Sequence, residues 1–413
     1  MNGNKKAHVL LLDGFHKAGV QELMQREEMV VDARDKSMSH NELLEAISNI
    51  DFLGVRSGTK VMAEHLEAAR NLLAIGRAGV GIDNIDVKSA TKKGIVVANA
   101  GNETAVAVAE LAFTQMLNLS RRVIDADRSI KSGKWEKKKF IGTELRGKTI
   151  GVIGYGQTGS LVVKYAVTFG TKVVIYEVDK EKWESNGRFV ENIGELYALA
   201  DIITLHVPLT EGTRNMICAA TINQMKKGVK IINLSRGGIV NHQEVFEAIK
   251  EKKVGGFAAD VFNSEPPVAA EAPDVENVIW TPHIGGQSEE GQKASSKTIV
   301  RQFLNYWLWG QVDNAVNLPK MHPNEELDNP GSHRVVVVHK DVPGALHILT
   351  GPFYDAGINI ADQGLHRTKE HIVFNVIDTD TAVPESLVTE LYNLKTRDGL
   401  SFVIKVRNFD LKF

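Results

Sequence analysis

The hexapeptide Gly154-Tyr155-Gly156-Gln157-Thr158-Gly159 decides the fold of the central part of the chain. It follows the apolar run Thr149–Ile153 and precedes a helix-like stretch at residues 160–169. The first glycine permits a tight turn, the second lets a pyrophosphate approach the backbone, and the third lets the helix pack closely on the strand. The start of that helix presents unpaired N–H groups to phosphates. This strand-turn-helix unit therefore predicts a dinucleotide-binding domain.

An acidic residue after the next strand indicates which dinucleotide is bound. The strand Lys172–Tyr176 ends in Glu177, roughly 20 residues after the last glycine of the hexapeptide. A carboxylate at that position accepts hydrogen bonds from both ribose hydroxyls and repels the 2′-phosphate of NADP. Asp179 is an alternative for the ribose contact, and an ordinary strand-to-helix turn is the alternative for the glycines. We expect NAD, bound by Gly154, Gly156, Gly159 and Glu177.

The rest of the chain alternates apolar runs with helical stretches. Strands are predicted at residues 8–12, 52–55 and 72–75, and a long Ala-rich helix at 105–119 is expected to join two domains. Alternation of this kind is typical of an α/β fold with doubly wound parallel sheets. Further strands are predicted after the glycine-rich turn, at residues 172–177, 201–207, 229–234, 255–261 and 278–281.

The last part of the chain has a different pattern. Residues 317–333 contain three prolines among polar residues and are predicted to form a linker. Strand, helix, strand, strand, helix and strand follow in that order, which is the order of the ferredoxin-like split unit. These elements are predicted at residues 335–339, 344–356, 359–366, 371–378, 385–394 and 402–407.

Composition excludes several classes of protein. The 413 residues include 49 Lys and Arg against 51 Asp and Glu, a net charge of −2, and the length suggests two or three domains. This near-zero net charge argues against a dedicated nucleic-acid-binding protein, which would need an excess of positive charge. Cys218 is the single cysteine, so no disulfide framework or thiolate zinc site is possible. No apolar stretch is long enough to span a membrane, and residues 1–15 lack a secretory signal, so we expect a cytoplasmic protein.

Three segments that follow predicted strands carry a set of catalytic side chains, at residues 233–238, 259–267 and 280–286. The carboxyl ends of parallel strands meet at one edge of a sheet. His283 suits a general acid or base near neutral pH, and Glu265 would fix its tautomer. Arg236 can bind the carboxylate of a 2-hydroxy or 2-oxo acid through two parallel bonds. Each residue taken alone also has an ordinary structural explanation. His283 could be a hydrogen-bonded loop histidine, Glu265 could end a turn, and Arg236 could be a surface cation. No metal is expected, because no cluster of ligands accompanies His283.

These segments, with residues 76–86, 99–110 and 315–319, closely resemble the D-isomer-specific 2-hydroxyacid dehydrogenases. The resemblance implies a Rossmann-like cofactor domain inserted in a flavodoxin-like substrate domain, followed by a ferredoxin-like ACT domain. It also implies a homo-oligomer, either dimer or tetramer. The implied boundaries are 1–103 for the first part of the substrate domain, 104–289 for the NAD domain, 290–330 for the second part with the linker, and 331–413 for the ACT domain.

The same resemblance implies roles for individual residues. The substrate would be D-3-phosphoglycerate, oxidised to 3-phosphohydroxypyruvate in the first step of L-serine synthesis. Gly58 stands where relatives have a second arginine that binds the phosphate. The alternative functions are reduction of another 2-oxo acid, such as 2-oxoglutarate, and non-catalytic sensing of NAD. Arg236, Glu265 and His283 would be catalytic. The residues that would also line NAD are Gln157, Thr158, Leu234, Ser235, Arg236, Asp260, His283, Gly285 and Gly286. Substrate would be bound by Arg56, Ser57, Arg77, Gly79, Asn102 and Arg236.

The tail resembles an ACT domain in its segments 339–344 and 357–360. The resemblance implies L-serine as a feedback effector, bound by His339, Asp341 and Asn359. Asp341 stands where relatives have an asparagine, so the identity of the effector stays open, and an assembly domain without a ligand is the alternative. Trp135 resembles a residue that packs into a partner subunit, although local packing would also explain it.

Overall fold

The computed structural model describes residues 6–179, 181, 187–311, 313–318 and 333–410. The chain divides into two compact units. One contains Met1–Glu103 with Gln292–Phe413, and the other contains Thr104–Gly291. The boundaries expected from the sequence lie after residues 103 and 289. Among the described residues, no helix is both long and apolar enough to cross a membrane.

The first unit contains a five-stranded parallel sheet in the order β2-β1-β3-β4-β5. This order is the flavodoxin-like one, as predicted. Two of the five strands, β2 and β5, were absent from the sequence prediction. The strands are β1 (Ala7–Leu11), β2 (Met29–Ala33), β3 (Phe52–Val55), β4 (Ala74–Arg77) and β5 (Val96–Asn99), connected by α1 (Lys17–Met24), α2 (His40–Ala46), α3 (Ala63–Ala68) and α4 (Val87–Lys92).

The second unit is a Rossmann-like domain, which confirms the prediction. It opens with α5 (Ala105–Arg121) and α6 (Val123–Lys131), and its sheet follows. The strands are β6 (Thr149–Ile153), β7 (Lys172–Tyr176), β8 (Arg188–Phe189), β9 (Ile202–Leu205), β10 (Val229–Asn233), β11 (Val254–Ala259) and β12 (Val278–Trp280), with α7 (Gln157–Thr168), α8 (Ile193–Leu199), α9 (Ala219–Gln224) and α10 (His242–Lys250) between them.

All neighbouring strands of this sheet are parallel, in the order β12-β11-β10-β9-β6-β7-β8. The chain runs from β6 to one side through β7 and β8, and then returns to the other side of β6 with β9. The carboxyl ends of β6 and β9 therefore flank the switch point, where ligands bind in open α/β sheets.

The helix α11 (Glu289–Trp309) precedes a four-stranded antiparallel sheet in the order β14-β15-β13-β16. The strand-helix-strand-strand-helix-strand order of the tail is confirmed. The predicted linker at 317–333 lies almost wholly outside the described residues. The elements of the tail are β13 (His333–Lys340), α12 (Ala345–Asp355), β14 (Ile360–Arg367), β15 (Ile372–Thr379), α13 (Glu385–Tyr392) and β16 (Val403–Asp410).

Both faces of the central strands of the tail sheet, β13 and β15, are buried. Val335 and Val337 on β13 pack in the core with the helices α12 and α13. Val336 and Val338 point to the opposite face, because successive side chains of a strand alternate. They belong to the core that contains Phe303 and other residues of α11 and the five-stranded sheet. All eight residues of β15 are accordingly buried.

Candidate active site

The glycine-rich turn lies between β6 and α7. Helix α7 begins at Gln157, directly after Gly156. A Cβ on Gly159 would lie 2.0 Å from the carbonyl oxygen of Gly154, so only glycine permits this approach of helix and turn. A Cβ on Gly156 would meet no atom within 4 Å, which leaves that side of the turn open. The open turn and the helix N-terminus together fit a pyrophosphate group.

Glu177, at the end of β7, lies beside this turn. Its carboxylate accepts hydrogen bonds from the backbone N–H of Tyr155 at 2.8 Å and of Asp179 at 3.0 Å. These bonds hold the negative charge next to the turn, where a ribose would lie. The residues at this edge therefore fit NAD, and Asp179 contributes a backbone donor to Glu177.

A short hydrogen bond joins His283 and Glu265 at the same edge of the sheet. His283 follows β12, Glu265 follows β11, and 2.6 Å separates Nδ1 of the histidine from Oε2 of the glutamate. Burial alone would raise the pKa of Glu265. The bond and charge of His283, the N–H of Phe262 and the charge of Arg236 outweigh burial and lower it. Glu265 is therefore a carboxylate at neutral pH, and it accepts the Nδ1–H bond that leaves Nε2 as the reactive nitrogen.

The backbone of His283 has a φ of +54°, in the left-handed region that few residues other than glycine adopt. Asp260, at the end of β11, holds the loop in this conformation. Its carboxylate accepts bonds from the Thr281 hydroxyl at 2.6 Å, the Ile284 N–H at 2.8 Å and the Gly285 N–H at 2.7 Å. Asp260 is only 1% exposed. Sequence reasoning placed it near the cofactor and missed this contact with the histidine loop.

Arg236 follows β10, two strands away from β12. Its guanidinium donates to the Ser235 carbonyl at 2.7 Å, and Asn233 donates to the Arg236 carbonyl at 2.9 Å. Leu234 is buried next to them. The structure thus brings Arg236, Glu265 and His283 to the carboxyl ends of three adjacent strands.

The predicted site did not include His206, which directly follows β9 at this edge. Its Nε2 lies 2.9 Å from the Thr204 hydroxyl, and burial lowers the pKa of His206 to about 4. The ring is therefore neutral at physiological pH. Its position directly after a strand at the switch point was the only signal in the sequence.

Five of the six expected substrate residues lie in the first unit, and the sixth, Arg236, lies in the second. Arg56 and Ser57 follow β3, Arg77 ends β4 with Gly79 just beyond, and Asn102 follows β5; these are adjacent strands. Asp13 accepts a bond from the Arg56 backbone N–H at 2.8 Å. Burial lowers the pKa of Arg56, and the charge of Asp13 opposes that shift.

A cavity of about 400 Å³ lies in the tail, between the loop after β13 and the strand β14. His339 and Asp341 line it, together with Arg367, whose Nε lies 3.2 Å from Oδ2 of Asp341. The His339 Nδ1 contacts the Lys340 carbonyl at 2.8 Å. Asn359 is not among the lining residues; its amide donates to Asp380 at 2.6 Å.

The fold and the site define a dinucleotide-dependent oxidoreductase with a histidine-carboxylate pair. Residues 113–285 match the D-isomer specific 2-hydroxyacid dehydrogenase, NAD binding domain, and residues 333–396 match the ACT domain. A D-3-phosphoglycerate dehydrogenase of Haemophilus influenzae is 34% identical over 391 residues, 94% of each chain. The chain belongs to the D-isomer-specific 2-hydroxyacid dehydrogenases, and it carries their NAD-binding domain and an ACT domain.

Other relatives match smaller parts. A D-3-phosphoglycerate dehydrogenase of Methanocaldococcus jannaschii is 44% identical over 77% of this chain and 61% of its own length. A hydroxypyruvate reductase of Thermotoga maritima is 42% identical over 71% of this chain and 95% of its own length. The chain spans 61%, 55% and 57% of the length of three of the relatives that it matches.

Proposed function

We propose that this chain is an NAD-dependent dehydrogenase that oxidises D-3-phosphoglycerate to 3-phosphohydroxypyruvate, the first step of L-serine synthesis. The 2.6 Å contact between His283 and Glu265 carries the proposal, because it supplies the acid-base pair that the reaction requires. The similarity to the Haemophilus influenzae enzyme over 94% of both chains supports the choice of substrate.

In the proposed reaction, Nε2 of His283 accepts the proton of the substrate C2 hydroxyl. Glu265 holds the ring in the tautomer with a proton on Nδ1 and stabilises the imidazolium that forms. Arg236 binds the substrate carboxylate and orients the C2–H bond. Bound NAD supplies the acceptor for the C2 hydride. The alcohol thus loses one proton and one hydride and becomes the ketone.

Formation of NADH from D-3-phosphoglycerate tests the proposal directly. Replacing His283 with Ala should lower kcat by roughly 10²–10⁴ while NAD affinity stays almost unchanged. Full turnover in that variant would remove the mechanism. Cofactor binding with no turnover on any 2-hydroxy acid in the unmodified protein would instead indicate an NAD sensor.

The phosphate of the substrate is assigned to Arg56 and Arg77. Guanidinium groups beside a sheet edge suit a phosphate dianion, because each can donate two parallel hydrogen bonds to its oxygens. Replacing Arg56 with Met should lower kcat/KM for D-3-phosphoglycerate and leave that for an unphosphorylated 2-oxo acid almost unchanged. Hydroxypyruvate, glyoxylate and 2-oxoglutarate are the comparison substrates, and a higher kcat/KM with any of them would make that acid the substrate instead.

Feedback by L-serine is the proposed role of the tail cavity. His339 lines the cavity, and its Nε2 is buried without a hydrogen-bond partner among the described residues, so this nitrogen is available to accept from an ammonium or hydroxyl group. Asp341 can pair with the ammonium group, and Arg367 can pair with the carboxylate of an amino acid. L-serine should inhibit the wild-type enzyme, and His339→Ala should weaken that inhibition. No binding of L-serine would leave the tail as an assembly domain.

A cytoplasmic homo-oligomer, dimer or tetramer, completes the proposal. Apolar side chains on and after α6 are exposed in the single chain: Val123 by 51%, Ile130 by 55%, Trp135 by 83% and Ile141 by 80%. Such a patch is typical of a protein interface. Light scattering should give a mass above that of one chain, and Trp135→Ala should lower the association constant. A monomer at micromolar concentration would exclude this interface.

A further inference from the structure

A second polar cavity lies in the NAD-binding unit, at the amino ends of β6, β9 and β10. It has a volume of about 180 Å³, and Lys148, Asp201 and residues 226–230 line it together with Ser120 of α5 and Thr143. The histidine-carboxylate pair follows the carboxyl ends of the strands. Five residues of strand at about 3.3 Å each separate the two edges by roughly 16 Å. The cavity is therefore distinct from the proposed active site.

Cations outnumber anions around this cavity. Lys148, Lys226, Lys227 and Lys230 face a single carboxylate, that of Asp201. Oδ1 of Asp201 pairs with Nζ of Lys226 at 3.0 Å, and Oδ2 accepts the N–H of Thr149 at 2.8 Å. Burial would raise the pKa of Asp201, but these bonds and the charge of Lys148 lower it. The aspartate therefore stays ionised and neutralises only one of the four lysines.

Lys230 extends into the cavity without a carboxylate partner among the described residues. Its Nζ donates to the Ser120 hydroxyl at 3.2 Å and to the Thr143 hydroxyl at 3.1 Å. Burial, and next the positive charge of Lys148, lower its pKa. Each hydroxyl that accepts from Lys230 keeps its own proton to donate to a further acceptor.

We propose that this cavity binds a small dianionic oxyanion of the phosphate type, either inorganic phosphate or the phosphate group of a metabolite. The ammonium groups of Lys148 and Lys230 would contact the anion as point charges, and the hydroxyls of Ser120 and Thr143 would donate to its oxygens. A cavity of 180 Å³ has room for about six water molecules, or for one tetrahedral anion with part of its hydration shell. Binding would join α5 to the starts of three strands.

Calorimetric titration of the full chain with inorganic phosphate, at constant ionic strength and with NAD present, tests the site. One phosphate should bind per chain in excess of any bound at the NAD-saturated glycine-rich turn and at the proposed substrate-phosphate site of Arg56 and Arg77. Because a charge-assisted bond is lost, Lys230→Met and Lys148→Met should each weaken this binding by about tenfold or more. Lys250→Met is the matched control, since Lys250 is an exposed lysine of α10 in the same unit. Its phosphate affinity should equal that of the wild type.

Thermal unfolding separates loss of the site from loss of the fold. Without phosphate, Lys230→Met should still unfold in one cooperative transition, because it loses two bonds to hydroxyl groups but also loses the repulsion from Lys148. Phosphate should raise the midpoint of the wild type and of Lys250→Met by more than that of Lys230→Met, which keeps only the proposed substrate-phosphate site at Arg56 and Arg77. Tighter binding of glycerol 1-phosphate than of phosphate or sulfate would identify a metabolite as the ligand, and equal binding would identify the inorganic anion. Undetectable binding to the wild type, or equal binding to wild type and Lys230→Met, would overturn the proposal.

Discussion

Replacing Asp260 with Asn should release the loop that carries His283. The carboxylate is buried and accepts three hydrogen bonds from that loop, one from the Thr281 hydroxyl and two from the N–H groups of Ile284 and Gly285. An asparagine keeps one acceptor oxygen and replaces the other with an NH₂ group. Depending on its orientation, that NH₂ group would face either the N–H of Gly285 or the two donors of Thr281 and Ile284. The variant therefore changes the bonding on both sides of the histidine.

The magnitude follows from these three bonds. A hydrogen bond to a charged group contributes about 1.5–3 kcal/mol, and a buried donor left without a partner costs about 1–3 kcal/mol. One bond is lost and two become neutral, so the free energy of unfolding should fall by about 3–5 kcal/mol. His283 is held at a φ of +54°, and the freed loop can relax from it. A shift of about 1 Å in a catalytic group lowers the rate roughly 100-fold.

Steady-state kinetics, NAD titration and urea unfolding test this expectation. If Asp260 positions the loop, kcat should fall while the dissociation constant for NAD changes little. A direct contact with the cofactor would raise that constant in parallel. Thr281→Val is the control: it removes one neutral donor and keeps both backbone bonds, so about 1 kcal/mol of stability and only a few-fold of kcat should be lost. Wild-type kcat and stability in Asp260→Asn would refute the reasoning.

Three further expectations concern the same protein. The pKa of Glu265 lies below its ordinary value of 4.5. The difference in unfolding free energy between wild type and Glu265→Gln should therefore be constant above that pH and shrink as the pH falls through the folded-state pKa. Acid titration at several urea concentrations would measure this difference. Gly159→Ala places a methyl group 2.0 Å from a carbonyl oxygen and should weaken NAD binding at least about tenfold, and unchanged NAD affinity in a fluorescence titration would contradict the close-packing argument. Asp378→Ala leaves the buried guanidinium of Arg334, now paired through two 2.6 Å bonds, without its anion. It should cost about 3–5 kcal/mol in denaturant unfolding, and the double variant Arg334→Met with Asp378→Leu should recover most of it.

The sequence predicted those strands that carry a buried apolar run or a chemical motif. Thr149–Ile153 has both, since a glycine-rich turn follows it directly. Met29–Ala33 was missed, because it is an edge strand in which only Met29 is buried, and so it shows no alternation of apolar and polar residues. Val96–Asn99 is an exception, because three of its four residues are apolar and buried and the prediction still overlooked it. Both strands are defined by their pairing with a neighbouring strand, β2 with β1 and β5 with β4, and no local sequence pattern encodes that pairing.

Side-chain pairs at strand ends could be predicted, and contacts with backbone groups could not. Glu265 and His283 follow adjacent strands, so the rule that carboxyl ends meet at one edge was sufficient to expect them together. Asp260 bonds two N–H groups, which every non-proline residue has, and therefore no residue type marks its partners. The lysine cavity was missed for a related reason: it combines the starts of three strands with hydroxyls from distant parts of the chain, and only the folded sheet brings them together.

The four consecutive valines of β13 carry information that the sequence prediction did not use, namely that this strand is buried on both faces. In an antiparallel sheet with one solvated face, apolar and polar residues alternate, whereas a continuous apolar run indicates a strand buried on both faces. Val335–Val338 is such a run, and its two faces lie in two different cores, one with α12 and α13 and one with α11 and the five-stranded sheet. Arg407 of β16 lies on the second side, with its guanidinium 4.7 Å from the Trp307 ring centre, and Lys405 donates to the Leu72 carbonyl at 2.6 Å. The tail is therefore packed against α11 and the five-stranded sheet by apolar and cationic contacts together. A ligand that reorders the loop at the end of β13 acts on a strand whose other face belongs to that second core.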